Sequence, residues 1–214
     1  MAMSGSWTAD AGAILSRQNV TPCHRPRFWL IVLVTLLSAC GGLPHLTIYE
    51  RDGDRVVLQD LPSGYPELPK YDHPASLPPK GLLQLFQGVL YRQSGALPLA
   101  WQPPRTVFTE RQQELLATQL ANAFGQVLPE EVVAFSVHDD KDSEMYTSGF
   151  CFVADNELHL VIENLREFTY VGEHKPYQQE PRWELLPGFG QRLHPTRPPA
   201  KGVDPHWIVF PLKK

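Results

Sequence analysis

Proline decides where this chain can build regular structure. Pro62, Pro66, Pro69, Pro74, Pro78 and Pro79 crowd one stretch, and Pro176, Pro181, Pro187, Pro195, Pro198, Pro199 and Pro205 crowd another. A proline has no N–H for a ladder or a helix interior, so neither stretch is expected to hold a central strand. Residues 60–79 read as an extended connector that lies over the domain or spans space. Residues 171–205, with little periodicity, read as a long irregular excursion.

Regular elements fall outside these stretches. Two β-prone segments, 46–50 and 55–59, flank Asp52-Gly53, a dipeptide that tolerates the positive φ of a tight turn, and predict a short hairpin. From Ser76, read as a helix cap, Leu82, Leu85, Phe86, Val89 and Leu90 follow the i, i+3, i+4 spacing of an apolar helix stripe. A second helix is signalled by a capping box at Thr109 and Gln112, by Leu116, Leu120, Ala123, Phe124 and Val127 on one face, and by Gly125 at its end. The run Val132-Val133-Ala134-Phe135-Ser136-Val137 is a strand, followed by an acidic turn, residues 138–144, that reads as a solvated loop.

Segments 148–154 and 157–164 form a hairpin around Asp155-Asn156. With a two-residue loop, Val153 faces Leu158 and Cys151 faces Leu160, so one side is apolar throughout and Cys151 is buried. Phe150, Phe152, Val161, His159, Glu157 and Glu163 occupy the other side, which calls for a helix or a partner to cover it. Residues 206–210 close the chain as a strand, with Ile208, Phe210 and Leu212 on one face. The expected fold class is α+β: a small, mainly antiparallel sheet packed against two helices, with proline-rich irregular segments.

The first forty residues carry a different message. Arg17, Arg25 and Arg27 precede an apolar run over residues 28–37, far too short for a bilayer core of about 30 Å. Leu37-Ser38-Ala39-Cys40 then resembles the lipobox of bacterial lipoproteins. The resemblance implies a signal peptide over residues 1–39, cleavage between Ala39 and Cys40, and lipid on the Cys40 thiol and amine, which anchors the chain to a membrane. It further implies sorting to the outer membrane with the domain facing the periplasm, because Gly41 rather than aspartate follows the cysteine. The organisation expected is therefore 1–39 signal peptide, 40–75 lipidated N-terminus with hairpin and connector, and 76–214 the α+β domain.

Cleavage would take Lys+Arg from 19 to 16 and Asp+Glu from 23 to 22, and the net charge from −4 to −6. Such a chain has no basic footprint for nucleic acid. Of three cysteines, Cys23 would leave with the signal and Cys40 would carry lipid, so Cys151 would have no disulfide partner in its own chain.

Little in the exported part points to catalysis. Asp139, Asp140, Asp142 and Glu144 offer oxygens to a cation but lack the glycine and register of a calcium loop. His45, His73, His138, His159, His174, His194 and His206 are scattered without the spacing of a metal site, and no nucleophile elbow or phosphate loop is present. No cofactor or metal is expected. Tyr177, Arg182, Trp183 and Phe189 in the second proline-rich stretch are the residue types that anchor interfaces or stack on ligands.

The leading expectation is a non-enzymatic accessory lipoprotein that docks on an envelope protein. The alternative is a binding module for a small envelope ligand, a glycan or lipid fragment, held by those aromatics. A third reading, a hydrolase or thiol enzyme, would use Cys151.

Overall fold

The computed structural model describes residues 46–65, 70–94, 100–168, 182–195 and 202–212. Strands β1 (Leu46–Arg51) and β2 (Asp54–Asp60) form the expected hairpin, with Asp52 and Gly53 both at positive φ in the two-residue turn. β2 then pairs with β5 (Glu131–His138), so the hairpin is the rim of the main sheet. The boundary expected at residue 75 therefore does not separate two folded units.

β6 (Met145–Ala154) and β7 (Glu157–Phe168) pair around Asp155 and Asn156, both at positive φ. Val153 lies opposite Leu158 and Cys151 opposite Leu160, the register that alternation requires. β10 (Val203–Pro211) pairs with β7 on one side and with β9 (Arg192–Pro195) on the other. The result is a seven-stranded sheet in the order β1-β2-β5-β6-β7-β10-β9, with every ladder antiparallel. It is larger than the small sheet expected, and the fold is sheet-rich rather than a balanced α+β arrangement.

A second, three-stranded sheet joins β4 (Arg105–Thr106), β3 (Leu90–Gln93) and β8 (Trp183–Leu186). β8 and β9 correct the expectation that 171–205 is irregular throughout. Each is four residues long; β8 lies between Pro181 and Pro187 and β9 ends on Pro195, so prolines limit their length without forbidding them.

Helix α2 (Glu110–Phe124) starts on the predicted capping box, the Thr109 hydroxyl accepting from the Gln112 N–H and the Gln112 side chain from the Thr109 N–H. Helix α1 (Pro79–Gln87) begins later than the sequence pattern suggested. Its N-cap is Pro78, with no side-chain cap, rather than Ser76, because a residue preceding a proline is pushed out of the helical region. Leu90 belongs to β3 and not to the helix.

Both faces of the large sheet are apolar. One carries Val133, Phe135, Val137, Cys151, Val153, Leu158, Leu160, Ile162, Ile208 and Phe210, packed under Leu82 and Phe86 of α1, Leu116, Leu120 and Phe124 of α2, and Tyr91 and Leu185 of the small sheet. The other carries Val132, Phe150, Phe152, Ala154, Val161, Trp207 and Val209. No described helix covers this second face; Tyr71, with Leu61 and Tyr65 partly buried, packs there instead. The proline-rich connector is thus a strap laid on the sheet, held where the Asp72 N–H donates to the Val153 carbonyl (2.7 Å) and the Ala75 N–H to that of Phe124 (2.8 Å).

Where β6 bulges against β7, a β-carbon on Gly149 would lie 2.0 Å from the Val161 carbonyl oxygen and 3.1 Å from the Ile162 Cα. Backbone paired on both edges cannot step aside. Gly149→Ala is expected to lower the unfolding free energy by about 3 kcal/mol in a urea titration, and a loss below about 1 kcal/mol would show that the bulge can open.

Candidate functional site

The aromatics expected to form a site do not converge. Trp183 sits in β8 opposite Gln93, half-buried against the first core. One face of its indole is stacked on His206 (3.8 Å between centroids, 17° between planes), and the His206 Nε2 lies 3.1 Å from the Trp183 carbonyl. Arg182 is exposed, and its carbonyl accepts from the Ser94 N–H at 2.7 Å. Tyr177 lies outside the described residues, as do residues 28–37 and Cys40. Among the described residues, no helix is long and apolar enough to cross a membrane.

Phe189 is fully exposed, the only described large hydrophobic left wholly to solvent. Its turn is nonetheless built. The Gln191 N–H donates to the Gly188 carbonyl (3.1 Å), the Gln191 side-chain oxygen accepts from the Gly188 N–H (2.8 Å), and Gly190 takes the positive φ of +76° that the turn's third position demands. Ordering a phenyl ring in water gains nothing for the folded monomer.

Beside the β1–β2 turn the acidic loop is exposed at Asp140, Lys141, Ser143 and Glu144, as expected of a solvated loop, but two of its carboxylates are held. Asp139 pairs with Arg166 and Asp140 with Arg111, which also pairs with the buried Asp54. Arg111 and Gln112, placed by the first turn of α2, both donate to the His138 carbonyl, at 2.8 and 2.7 Å, while Asp54 accepts from the His138 N–H at 2.7 Å. Burial works against the Arg111 charge, but its bonds to Asp54 and Asp140 outweigh it and hold its pKa above the usual value. Oxygens that a cation would need are engaged by guanidinium groups from residues distant in sequence, which local reading could not anticipate. Asp54 is buried and also holds the His138 N–H, so losing its charge weakens both bonds although Arg111 itself is half-exposed, whereas Asp140 is more exposed. Asp54→Asn is expected to cost about 2 kcal/mol and Asp140→Asn under about 1 kcal/mol in urea unfolding at neutral pH, and equal costs would contradict this ordering.

On the second face His159 stacks on Phe152 (4.7 Å, 10°), and its Nδ1 accepts from the Trp207 indole N–H at 3.1 Å. His194 stacks on Trp207 (3.7 Å, 9°). Two histidines with no sequence proximity thus meet through β7 and β9, their rings 5.9 Å apart. The hint was His159's place on the hairpin side of Phe152. Burial, then His194 and Arg192, push the His159 pKa down to about 4, so the ring is neutral. Nearby, burial raises the Tyr65 pKa to about 12, with the Glu163 and Asp204 carboxylates adding to it.

Cys151 is 1 % exposed beneath the helices, and burial pushes its thiol well above the ordinary range. A nucleophilic thiolate is not available there. Native protein is expected to label with a small aromatic disulfide reagent at least about 100-fold more slowly than urea-unfolded protein; comparable rates would reinstate a reactive thiol.

No protein-family model, curated protein or solved structure significantly matches this chain.

Proposed function

We propose that this chain is a lipid-anchored protein of the bacterial envelope whose sheet-rich domain docks on a partner protein through the Phe189 turn and carries no chemistry of its own. The observation that carries the docking reading is the fully exposed Phe189 on a hydrogen-bonded turn. Aromatic side chains presented with little conformational freedom are the usual anchors of protein interfaces, because docking then buries a large apolar area at small entropic cost. The anchor reading rests on the lipobox Leu37-Ser38-Ala39-Cys40, and Gly41 favours the outer membrane facing the periplasm.

The small-ligand alternative draws less support, since His206 occupies one face of Trp183 and Phe189 is wholly exposed rather than lining a cavity. The thiol-enzyme reading would need Cys151 at the surface.

A photoreactive phenylalanine analogue at position 189, in cells producing the full chain, is expected to crosslink to one defined envelope protein. Phe189→Ser should abolish capture of that protein while shifting stability by less than about 0.5 kcal/mol. Cys40→Ser should remove the acyl mass and release the chain from membranes. Crosslinks spread over many proteins, or a lost partner accompanied by unfolding, would end the docking reading; an unmodified Cys40 in membrane-extracted protein would end the anchor reading.

A further inference from the structure

The strap over the second face is fastened by one buried histidine acceptor, His73, and rests on aromatics that a second, His159, orients. Its described parts, residues 61–65 and 70–75, set Tyr71 on Phe152 (4.9 Å) and Tyr65 edge-on to Phe150 (4.8 Å) and Trp207 (6.3 Å). His73 lies within the strap and is buried. Its Nε2 accepts from the Val153 N–H at 3.0 Å, so its proton is on Nδ1, which faces the Leu128 carbonyl at 3.3 Å. His159 lies beneath, and its Nδ1 accepts the Trp207 indole N–H that orients the ring under Tyr65. Each site needs a lone pair on a specific ring nitrogen, and a protonated imidazole has none.

We propose that acid releases this strap: protonation of His73 and His159 replaces two buried acceptors with donors that face donors, and the strap lifts from the aromatic face while the sheet and its helix-covered face persist. The helix-covered face is fastened instead by carboxylates, Asp54 and Asp140 on Arg111 at the start of α2 and Glu131 accepting from the Leu128 N–H beyond its end. The two covers of the sheet therefore respond differently to the same pH change.

The surrounding charges set the window. Around His73, burial favours the neutral ring, while the Leu128 and Glu131 backbone and the Asp72 and Glu131 charges pull the other way, so protonation is opposed but attainable. Around His159, burial, His194 and Arg192 all favour the neutral ring, and only the Ala154 backbone opposes them; Arg192 is itself paired with Glu157. Tyr65 faces Glu163 and Asp204, and burial raises the Glu163 pKa. Both histidines have pKa values below 6.5 when the strap is closed, so the open state binds more protons. Closure is complete in its stability above 6.5 and loses it as pH falls from 6.5 toward about 4. With two protons taken up, the closed-to-open ratio falls by up to about 100-fold per pH unit inside that window.

Hydroxyl-radical footprinting of the full chain, read by mass spectrometry, tests this directly. Oxidation of Tyr71, Phe152 and Trp207 is expected to rise several-fold, reversibly, with a midpoint between 4 and 6.5, while far-ultraviolet circular dichroism and protection of Phe108, packed on Phe86 and Phe135 in the helix-covered core, stay constant. In a His73→Gln, His159→Gln double variant, glutamine keeps an acceptor and a donor but does not titrate, and the rise should vanish. Constant protection down to about pH 4, simultaneous exposure of Phe108, or an unchanged midpoint in the double variant would overturn the proposal. Should that variant fail to fold, proton NMR of the wild-type histidine rings decides: titration of both rings at the footprinting midpoint supports release, and ring titration near 6.5 with the strap still protected refutes it.

Discussion

A sheet that is apolar on both faces must be covered twice, and the described part of this chain offers helix for only one covering. Each large side chain kept from water contributes about 1.5–3 kcal/mol, so a face carrying Phe150, Phe152, Val161, Trp207 and Val209 cannot be left bare. The connector meets this need with tyrosines, which bury much area per residue. Coil has unpaired backbone groups, however, and pressing it onto apolar side chains leaves N–H and C=O groups to be satisfied one at a time. That is why the bonds of Asp72 and Ala75 and the ring of His73 sit where they do. Neutral buried histidine is a consequence of covering a sheet with coil.

A separate demand is met at the β1–β2 turn. Asp54 from the hairpin, Arg111 and Gln112 from the start of α2, and the His138 backbone from the end of β5 form one set of charge-assisted bonds. The set positions the first turn of the helix against the rim of the sheet, which apolar contacts alone would leave free to slide. Through Arg111 it also engages Asp140, one of the acidic residues that would otherwise suggest a cation site.

Much of this was legible in local pattern. Asp52-Gly53 and Asp155-Asn156 announced their hairpins, alternation placed Cys151 opposite Leu160, and the Thr109–Gln112 box marked the start of α2, because each is settled by residues within a few positions of one another. Strands β3, β4, β8 and β9 were not legible, since two to four residues carry no periodicity and their pairing partners are remote. The same distance hid the partners of Asp139 and Asp140 and the stack of His206 on Trp183. Phe189 was legible as a residue type, but only the geometry of its turn separates it from Trp183. The lipobox is a signal of sequence alone.

His206 and Trp207 are neighbours on β10, yet each carries an aromatic stack on a different side: Trp183 with the first core, His194 on the second face. One strand therefore acts as a rivet through the sheet. Trp183 and His194 stack on adjacent residues of one strand, so a substitution at either bears on the same short stretch of β10 backbone. Within this layered fold, a disturbance on one face is carried by that backbone to the other.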